Sequence, residues 1–354
     1  MAISAAILLG TSTTSCSLME TDRSDCPEGL YVDFVYDYNI QRADMFKDHV
    51  GYVTVYVFDE SDNLVIKRSV GNYGTDRPLA NYGYRMHFSS NELPEGHYHL
   101  LALAMQKDWD EALATPGAKY RRTEPTTRST QSNALGVTLD RGAKDADGYC
   151  PVSNVAPLDT LWHGTMLNAT SVKVEPGVPS YATISLVRDT KTLNITVRDI
   201  DQPADPSDDK YTVTITAPNG RLDYQNTVLP DDTLLYTPYA AWTTEFPEDG
   251  SEVTERAAHY DINFNRLMYS TEEDTAILKL VNKTNGKVIG EFNLAWLLSE
   301  GRTAFETNHY SRQEYLDREY DYRLDFLLKG DRWLYISVKV GILAWSHRIM
   351  NEEL

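Results

Sequence analysis

Apolar and polar residues alternate one by one along much of the chain, as expected for strands that bury one face. In Tyr52–Phe58 the valines at positions 53, 55 and 57 point one way and the intervening residues point the other way. The same alternation recurs at 193–198, 211–216 and 334–340. Turn sequences punctuate the strand pairs: Pro94-Glu95-Gly96, Pro176-Gly177, Pro218-Asn219-Gly220 and Asn285-Gly286. The pattern predicts a mainly β fold built as sandwiches.

Two short segments carry helical patterns instead. Residues 293–300 place three leucines on one face and are followed by Gly301, a common helix stop. Ser311 and Glu314 form a capping-box sequence that predicts a second short helix through about Arg318. Both helices are expected to cover a sheet edge or the end of a sandwich.

The front of the chain has the order of an export signal. An apolar run at 2–10 and a patch of small residues precede Cys16, and a polar stretch follows it. The run suits a signal core and is too short to span a bilayer. Cleavage before Cys16 would make it the first mature residue, as in bacterial lipoproteins, whose thiol carries lipid. We predict lipidation at Cys16; the alternative is a secreted protein with an ordinary signal and a spare thiol.

Length sets the number of domains that the chain can form, and charge limits the classes of partner. A chain of 354 residues is long enough for two domains, and its formal net charge of −19 excludes a partner bound through nucleic-acid phosphates. The best domain boundary lies near 187–190. We therefore expect residues 1–15 to be a signal peptide and 16–29 a lipidated tether. Two β-sandwich domains follow at 30–189 and 190–354, and the polar segment 115–133 is expected to be a surface loop of the first.

The remaining cysteines could form a disulfide. If Cys16 carries lipid, Cys26 and Cys150 are left, an even number in an oxidising compartment. A bridge requires their Cα atoms to lie within a few ångströms, which a sequence cannot establish. The alternative is two unpaired thiols on strands that lie apart.

Sequence motifs of enzymes are not found, so we predict that the protein is not an enzyme and uses no cofactor or metal. His97 and His99 share a strand face, but a third metal ligand near them is not evident. The acidic loop 199–209 offers oxygens for calcium without the spacing of a calcium-binding loop. His163 is expected to be a packing or turn residue, and Arg121-Arg122 a charged, solvated loop tip.

Several short motifs stand in a characteristic order along the chain: Asp25-Cys26-Pro27-Glu28-Gly29-Leu30-Tyr31-Val32, Tyr36-Asp37-Tyr38-Asn39, Ala43-Asp44-Met45-Phe46, the strand at 53–59, Glu92-Leu93-Pro94-Glu95-Gly96-His97-Tyr98, Leu161-Trp162-His163-Gly164, Val187-Arg188-Asp189-Thr190-Lys191 and the strand pair at 334–345. In this order and spacing they resemble the FimB-like fimbrial anchor family, the lipid-modified minor subunits at the base of type V fimbriae. The resemblance extends from Cys16 to about residue 345.

The resemblance implies two Greek-key, transthyretin-like β-sandwich domains in tandem with short helices. It also implies a surface-exposed protein that is lipid-anchored in the outer membrane, fixes one end of a fimbria there, and takes part in fimbrial assembly and length control. The implied partners are the fimbrial shaft pilin subunits. They would be joined by strand addition, in which an extended segment of one subunit completes the open sheet of another.

Two other functions remain open. The protein could be a surface lipoprotein that captures glycans on its β-sandwich domains, or a fimbrial tip adhesin with the same fold. The feature that favours glycan binding is a flat patch of exposed aromatic side chains beside polar groups. The six tryptophans are spread through the chain, and the sequence alone does not show whether they form such a patch.

Overall fold

The computed structural model describes residues 28–72, 78–126, 131–247, 252–271, 276–340 and 346–351. Strands of the first half are β1 (Gly29–Val35), β2 (Tyr52–Phe58), β3 (Leu64–Gly71), β4 (Arg85–Phe88), β5 (Gly96–Met105), β6 (Tyr120–Thr123), β7 (Gly136–Leu139), β8 (Cys150–Pro151), β9 (Leu161–Met166), β10 (Val172–Val174) and β11 (Pro179–Arg188).

Strands of the second half are β12 (Lys191–Asp199), β13 (Tyr211–Ala217), β14 (Arg221–Asp223), β15 (Leu234–Tyr236), β16 (Ala240–Phe246), β17 (Glu255–Phe264), β18 (Ile277–Asn282), β19 (Val288–Asn293), β20 (Asp321–Lys329), β21 (Arg332–Val340) and β22 (Ser346–Met350). The helices are α1 (Phe46–His49), α2 (Pro78–Asn81), α3 (Trp109–Ala114), α4 (Leu294–Ser299), α5 (Ala304–His309) and α6 (Arg312–Arg318).

The first sheet has the strand order β3-β2-β5-β9-β11-β1-β4, with β10 paired to the start of β5. β1 runs parallel to β11, from Gly29 opposite Pro179 to Val35 opposite Ser185. The sheet curls around its own core, because its two edge strands approach each other. Arg68 on β3 donates a hydrogen bond to the His87 carbonyl on β4. This contact partly shields both edges from further pairing.

Two further sheets make up most of the second half. The second sheet has the order β16-β17-β12-β20-β21-β22, and the third has the order β19-β18-β13-β15-β8. Their inner faces share one hydrophobic core, in which Ile195 and Leu324 of the second sheet join Ile215 and Leu280 of the third. Helices α4 and α6 pack against each other and contribute buried side chains to the same core.

Strands of the first half also complete sheets of the second half. β8 pairs in parallel with β15 in the third sheet, and β7 pairs with β14 in a small sheet of order β14-β7-β6. The large core is continuous across this connection, since it includes Leu103 of β5, Val137 of β7 and Leu222 of β14. The segment between α3 and β8 therefore joins the two halves through pairing and through burial.

The predicted mainly β fold with short helices is confirmed. β2 has its predicted bounds, and α4 and α6 lie where the capping and leucine patterns predicted them. The prediction of a surface loop at 115–133 is wrong in part, because this segment contains β6. Arg121 on β6 pairs with Asp140, while Arg122 lies over the Trp109 ring, 4.6 Å from its centroid. Arg122 is thus a packed side chain and not a solvated tip.

Candidate functional site

The predicted tether leads directly into the first sheet. Cys16 and Cys26 lie outside the described residues, so lipidation and the Cys26–Cys150 bridge stay predictions. β1 begins at Gly29, whose φ is +84°, and a Cβ atom there would lie 2.3 Å from the Phe88 carbonyl oxygen. Only glycine fits this entry point. Cys150 is buried in β8, with 3% of its surface exposed.

The link between the two halves is a buried polar junction. β11 ends at Arg188 and β12 begins at Lys191, so Asp189 and Thr190 alone connect them, and both are buried. Asp189 Oδ2 lies 2.6 Å from His163 Nδ1, and Asp189 Oδ1 accepts a hydrogen bond from Asn226 Nδ2 at 2.7 Å. His163 is therefore a buried residue of the junction, in β9, and not a turn residue. The contacts fix the link in one conformation.

Lys191 extends this junction towards α6. Its Nζ atom donates hydrogen bonds to the carbonyl oxygens of Asp317 and Glu319, at 2.8 Å each. Burial lowers the pKa of Lys191 to about 8, and burial raises the pKa of Glu319 to about 7. Arg266 forms a two-pronged ion pair with Asp317, at 2.7 and 2.8 Å. α6 and the residue after it thus hold the start of β12 through Lys191, and α6 holds the loop after β17 through Arg266.

An open edge of the second sheet is the best-placed strand for pairing with another chain. Among the described residues, no strand pairs with the outer side of β16. Its Trp242 is 45% exposed and stacks on His259 of β17, with 5.0 Å between ring centroids. The His259 ring nitrogens lie 3.2 and 3.0 Å from the hydroxyls of Thr196 and Thr244. Burial, with Arg198 nearby, lowers the pKa of His259, which favours a neutral ring that bonds both hydroxyls.

A second candidate surface lies on the outward face of the first sheet. Tyr181, Tyr31 and His87 occupy neighbouring positions on β11, β1 and β4. Their rings stack in a row, with centroids 5.5 Å apart for the tyrosine pair and 4.3 Å apart for Tyr31 and His87. Beside this aromatic row, Arg85 holds Asp33 through two hydrogen bonds of 2.7 and 2.8 Å.

Sequence reasoning missed this aromatic row. Its signal was present as a period-two pattern, because Tyr31 and Asp33 alternate with apolar residues on β1, as Tyr181 and Thr183 do on β11. The sequence does not show that β1 and β11 pair in parallel, since nearly the whole first half of the chain separates them. Only the observed register brings the three rings together.

The residues considered as metal ligands are not brought together. His97 is exposed, while His99 pairs with Asp62 at 3.0 Å and stacks on Phe58. In the described part of the chain, no group of three or more His, Cys, Asp or Glu side chains could hold a metal ion. The acidic loop instead uses Asp199 to accept backbone N–H groups, and its later residues line an open cleft of about 520 Å³.

A β-rich chain with a buried junction, open strand edges and an exposed aromatic face has the features of a structural or binding protein. A family model described as fimbrillin-A associated anchor proteins Mfa1 and Mfa2 matches residues 23–351. The chain belongs to this family, which confirms the resemblance seen in the sequence. The family is one of fimbrial anchor proteins, which implies association with the cell surface.

Solved structures show the same fold. One from Bacteroides thetaiotaomicron, described as candidate polysaccharide-binding proteins, is 29% identical with a TM-score of 0.70 over 93% of this chain and 100% of that one. A candidate adhesin from the same species is 24% identical with a TM-score of 0.71 over 92% and 98%. The fimbrial anchor protein Mfa2 from Porphyromonas gingivalis is 16% identical with a TM-score of 0.56 over 91% and 99%. No curated protein matches the sequence.

No helix in the described ranges is long and apolar enough to cross a membrane.

Proposed function

We propose that this protein is a lipid-anchored minor fimbrial subunit that holds the base of a fimbria at the outer membrane. The family match over residues 23–351 is the observation that carries the proposal. The export-signal pattern before Cys16 supplies the membrane tether, and β1 follows it within the same short stretch of chain. A subunit fixed in this way would terminate the fibre and so limit its length.

Strand addition is the proposed mode of contact with the shaft pilin. An open edge strand presents unpaired backbone N–H and C=O groups, and an incoming segment gains main-chain hydrogen bonds along it. β16 supports this mode because it offers seven residues at an edge of the second sheet. The edges of the first sheet are less suitable, since Arg68 bridges them.

The membrane tether is tested by Cys16→Ala, with Cys26→Ala as the matched control. We expect the Cys16→Ala protein to leave the membrane fraction, while the Cys26→Ala protein stays there. Mass spectrometry of the mature N-terminus should find an acylated Cys16 in the wild type. A mature wild-type protein that starts at another residue, without lipid, would contradict the proposal. A strain that lacks the protein should shed its fibres.

A second function is favoured by a specific observation. The aromatic row places two tyrosine rings and a histidine ring beside polar groups on an outward sheet face, an arrangement that suits glycan binding. The relative at 29% identity is described as a candidate polysaccharide-binding protein. We therefore infer carbohydrate binding as the second candidate function, compatible with either an anchor or a tip adhesin. Retention of the full chain by immobilised polysaccharide tests it.

A further inference from the structure

We propose that the aromatic row on β11, β1 and β4 is the binding site for a neutral polysaccharide. The inference rests on the second proposed function and names the residues that would perform it. The site consists of Tyr181, Tyr31 and His87, with the Asp33–Arg85 pair beside them.

The row offers an open ring face at one end. Tyr181 is 57% exposed. β9 pairs with β11 only from Ile184, opposite Met166, onwards, so no residue of β9 stands opposite Tyr181. More than half of the Tyr181 surface is therefore open for stacking beside the Arg85 guanidinium, which lies 5.5 Å from the ring centroid. Aromatic faces carry partial negative charge and attract the C–H groups on one side of a sugar ring.

Hydrogen-bonding groups stand beside the rings without internal partners. In the described part of the chain, neither the Tyr31 nor the Tyr181 hydroxyl has a hydrogen-bond partner. A phenol both donates and accepts a hydrogen bond, as a sugar hydroxyl does. Neighbouring strands lie about 4.8 Å apart, so the row extends about 10 Å across three strands. This length suits a chain of sugar rings better than a single small ligand.

The charges of the row and of the whole chain favour a neutral polysaccharide over an anionic one. Arg85 and Asp33 neutralise each other through their two short hydrogen bonds, so the row carries no excess charge of its own. The whole chain has a formal net charge of −19 and repels anionic polymers. A sulfated or uronic-acid polysaccharide would meet this repulsion, and the guanidinium at the row, that of Arg85, is already paired with Asp33.

The exposed aromatic pair on β16 and β17, Trp242 and His259, is less suited to sugars. Trp242 has an open face at the sheet edge, but both nitrogens of the stacked His259 already contact threonine hydroxyls. Asp261, on the same face, is bonded to Asn194 at 2.7 Å. The polar groups around Trp242 are therefore occupied, which makes this residue a useful comparison.

The test is electrophoresis of the full chain through gels that contain yeast mannan, galactomannan, dextran or starch, with heparin as the anionic polymer. We expect at least one neutral polysaccharide to retard the wild type, and heparin to have no effect. Tyr181→Ala and Tyr31→Ala should each weaken the association about tenfold, as loss of a central aromatic contact does. Tyr82→Ala removes a tyrosine that is 77% exposed elsewhere and should bind like the wild type. Trp242→Ala should do the same.

The possible failures are distinguishable. If no neutral polysaccharide retards the wild type, both the site and the second function are wrong, and the anchor function is unaffected. If the wild type is retarded and the Tyr181 and Tyr31 variants are retarded equally, carbohydrate binding stands and this site is wrong. Loss of binding in Trp242→Ala alone would place the site on β16, and retardation by heparin alone would exclude the neutral class. Circular dichroism of each variant checks that the fold is retained.

Discussion

The carboxyl group of Glu319 is buried at the end of α6, with 2% of the residue exposed. Its Oε1 atom accepts hydrogen bonds from the N–H groups of Tyr320 and Asp321, at 2.9 and 3.1 Å. These bonds favour the charged form, but burial outweighs them and raises the pKa from 4.5 to about 7. The group therefore binds its proton more tightly in the folded state than in the unfolded state.

This shift predicts a pH dependence of stability. The contribution of an acid with a raised pKa is fully present below the unfolded value of 4.5 and is lost as the pH rises through about 7. Between these values, Glu319 should lower the free energy of unfolding by up to about 3 kcal/mol. Glu319→Gln should remove that part of the slope in urea titrations at several pH values. Glu314→Gln, on the same helix, should keep the wild-type slope, and identical slopes for Glu319→Gln and wild type would refute the assignment.

Among the elements, long strands could be predicted from the sequence and short ones could not. β2 was predicted within its bounds because it spans seven alternating residues, although both its faces are buried: its valines enter one core while Tyr56 and Phe58 enter the other. β7, β8 and β14 have two to four residues each, too few for a periodic pattern. They exist because distant segments pair, which is a property of the whole fold.

Helix caps depend on short sequence motifs, so they could be predicted in part. Ser311 accepts a hydrogen bond from the Glu314 N–H, as predicted. The reciprocal capping box stands instead at α5, where Thr303 and Glu306 bond each other's backbone N–H groups. The capping-box sequence at Thr303 and Glu306 is present in the chain, but it does not predict α5 by itself, because α5 lacks the regular apolar face that marks α4. The aromatic row was missed for a different reason, since it depends on strand register.

The small sheet that joins the two halves gives a prediction for a single core residue. Leu222 lies on β14, is 1% exposed, and belongs to the core shared by all the sheets of the second half. Leu222→Ala should lower the free energy of unfolding by about 2–4 kcal/mol, because truncation leaves a cavity in a packed core. Val155→Ala, at a position 72% exposed, should change it by less than about 0.5 kcal/mol. Chemical denaturation measures both, and similar values for the two variants would contradict the shared core.

At the scale of the whole molecule, the two predicted domains depend on each other. Residues 30–189 supply β7 and β8, which pair with β14 and β15 of residues 190–354. Each half alone would expose core residues such as Val137 or Leu234. We therefore expect neither half to show a cooperative thermal transition when expressed by itself, and mixing the halves should restore one. Independent cooperative unfolding of both halves, followed by circular dichroism, would show that the shared core is not required.

The path of force through the molecule follows from the same connections. In the proposed anchor, the tether would pull β1 at Gly29, the start of the strand, while a load on the second half would reach the first sheet through Arg188, at the end of β11. β1 and β11 are parallel and paired over seven positions, so these two forces slide the strands past each other. Shear loads all the inter-strand hydrogen bonds at once, whereas a pull on the same end of both strands breaks them one at a time.

Single-molecule pulling can separate these two geometries. One handle is placed at the N-terminus, and the second at Ile200→Cys, just after β12, or at Val178→Cys, just before β11, in a chain whose native cysteines are replaced by alanine. Both positions are exposed, at 47% and 43%. A second handle at Ile200 loads β1 and β11 in shear. A second handle at Val178 instead unzips the two strands from the end where Gly29 faces Pro179. We expect a several-fold higher unfolding force for the Ile200 handle, because the rate of forced unfolding depends on the barrier along the pulled direction. Equal forces would mean that the parallel pair does not bear the load, and the tether would then need to act through another part of the first sheet.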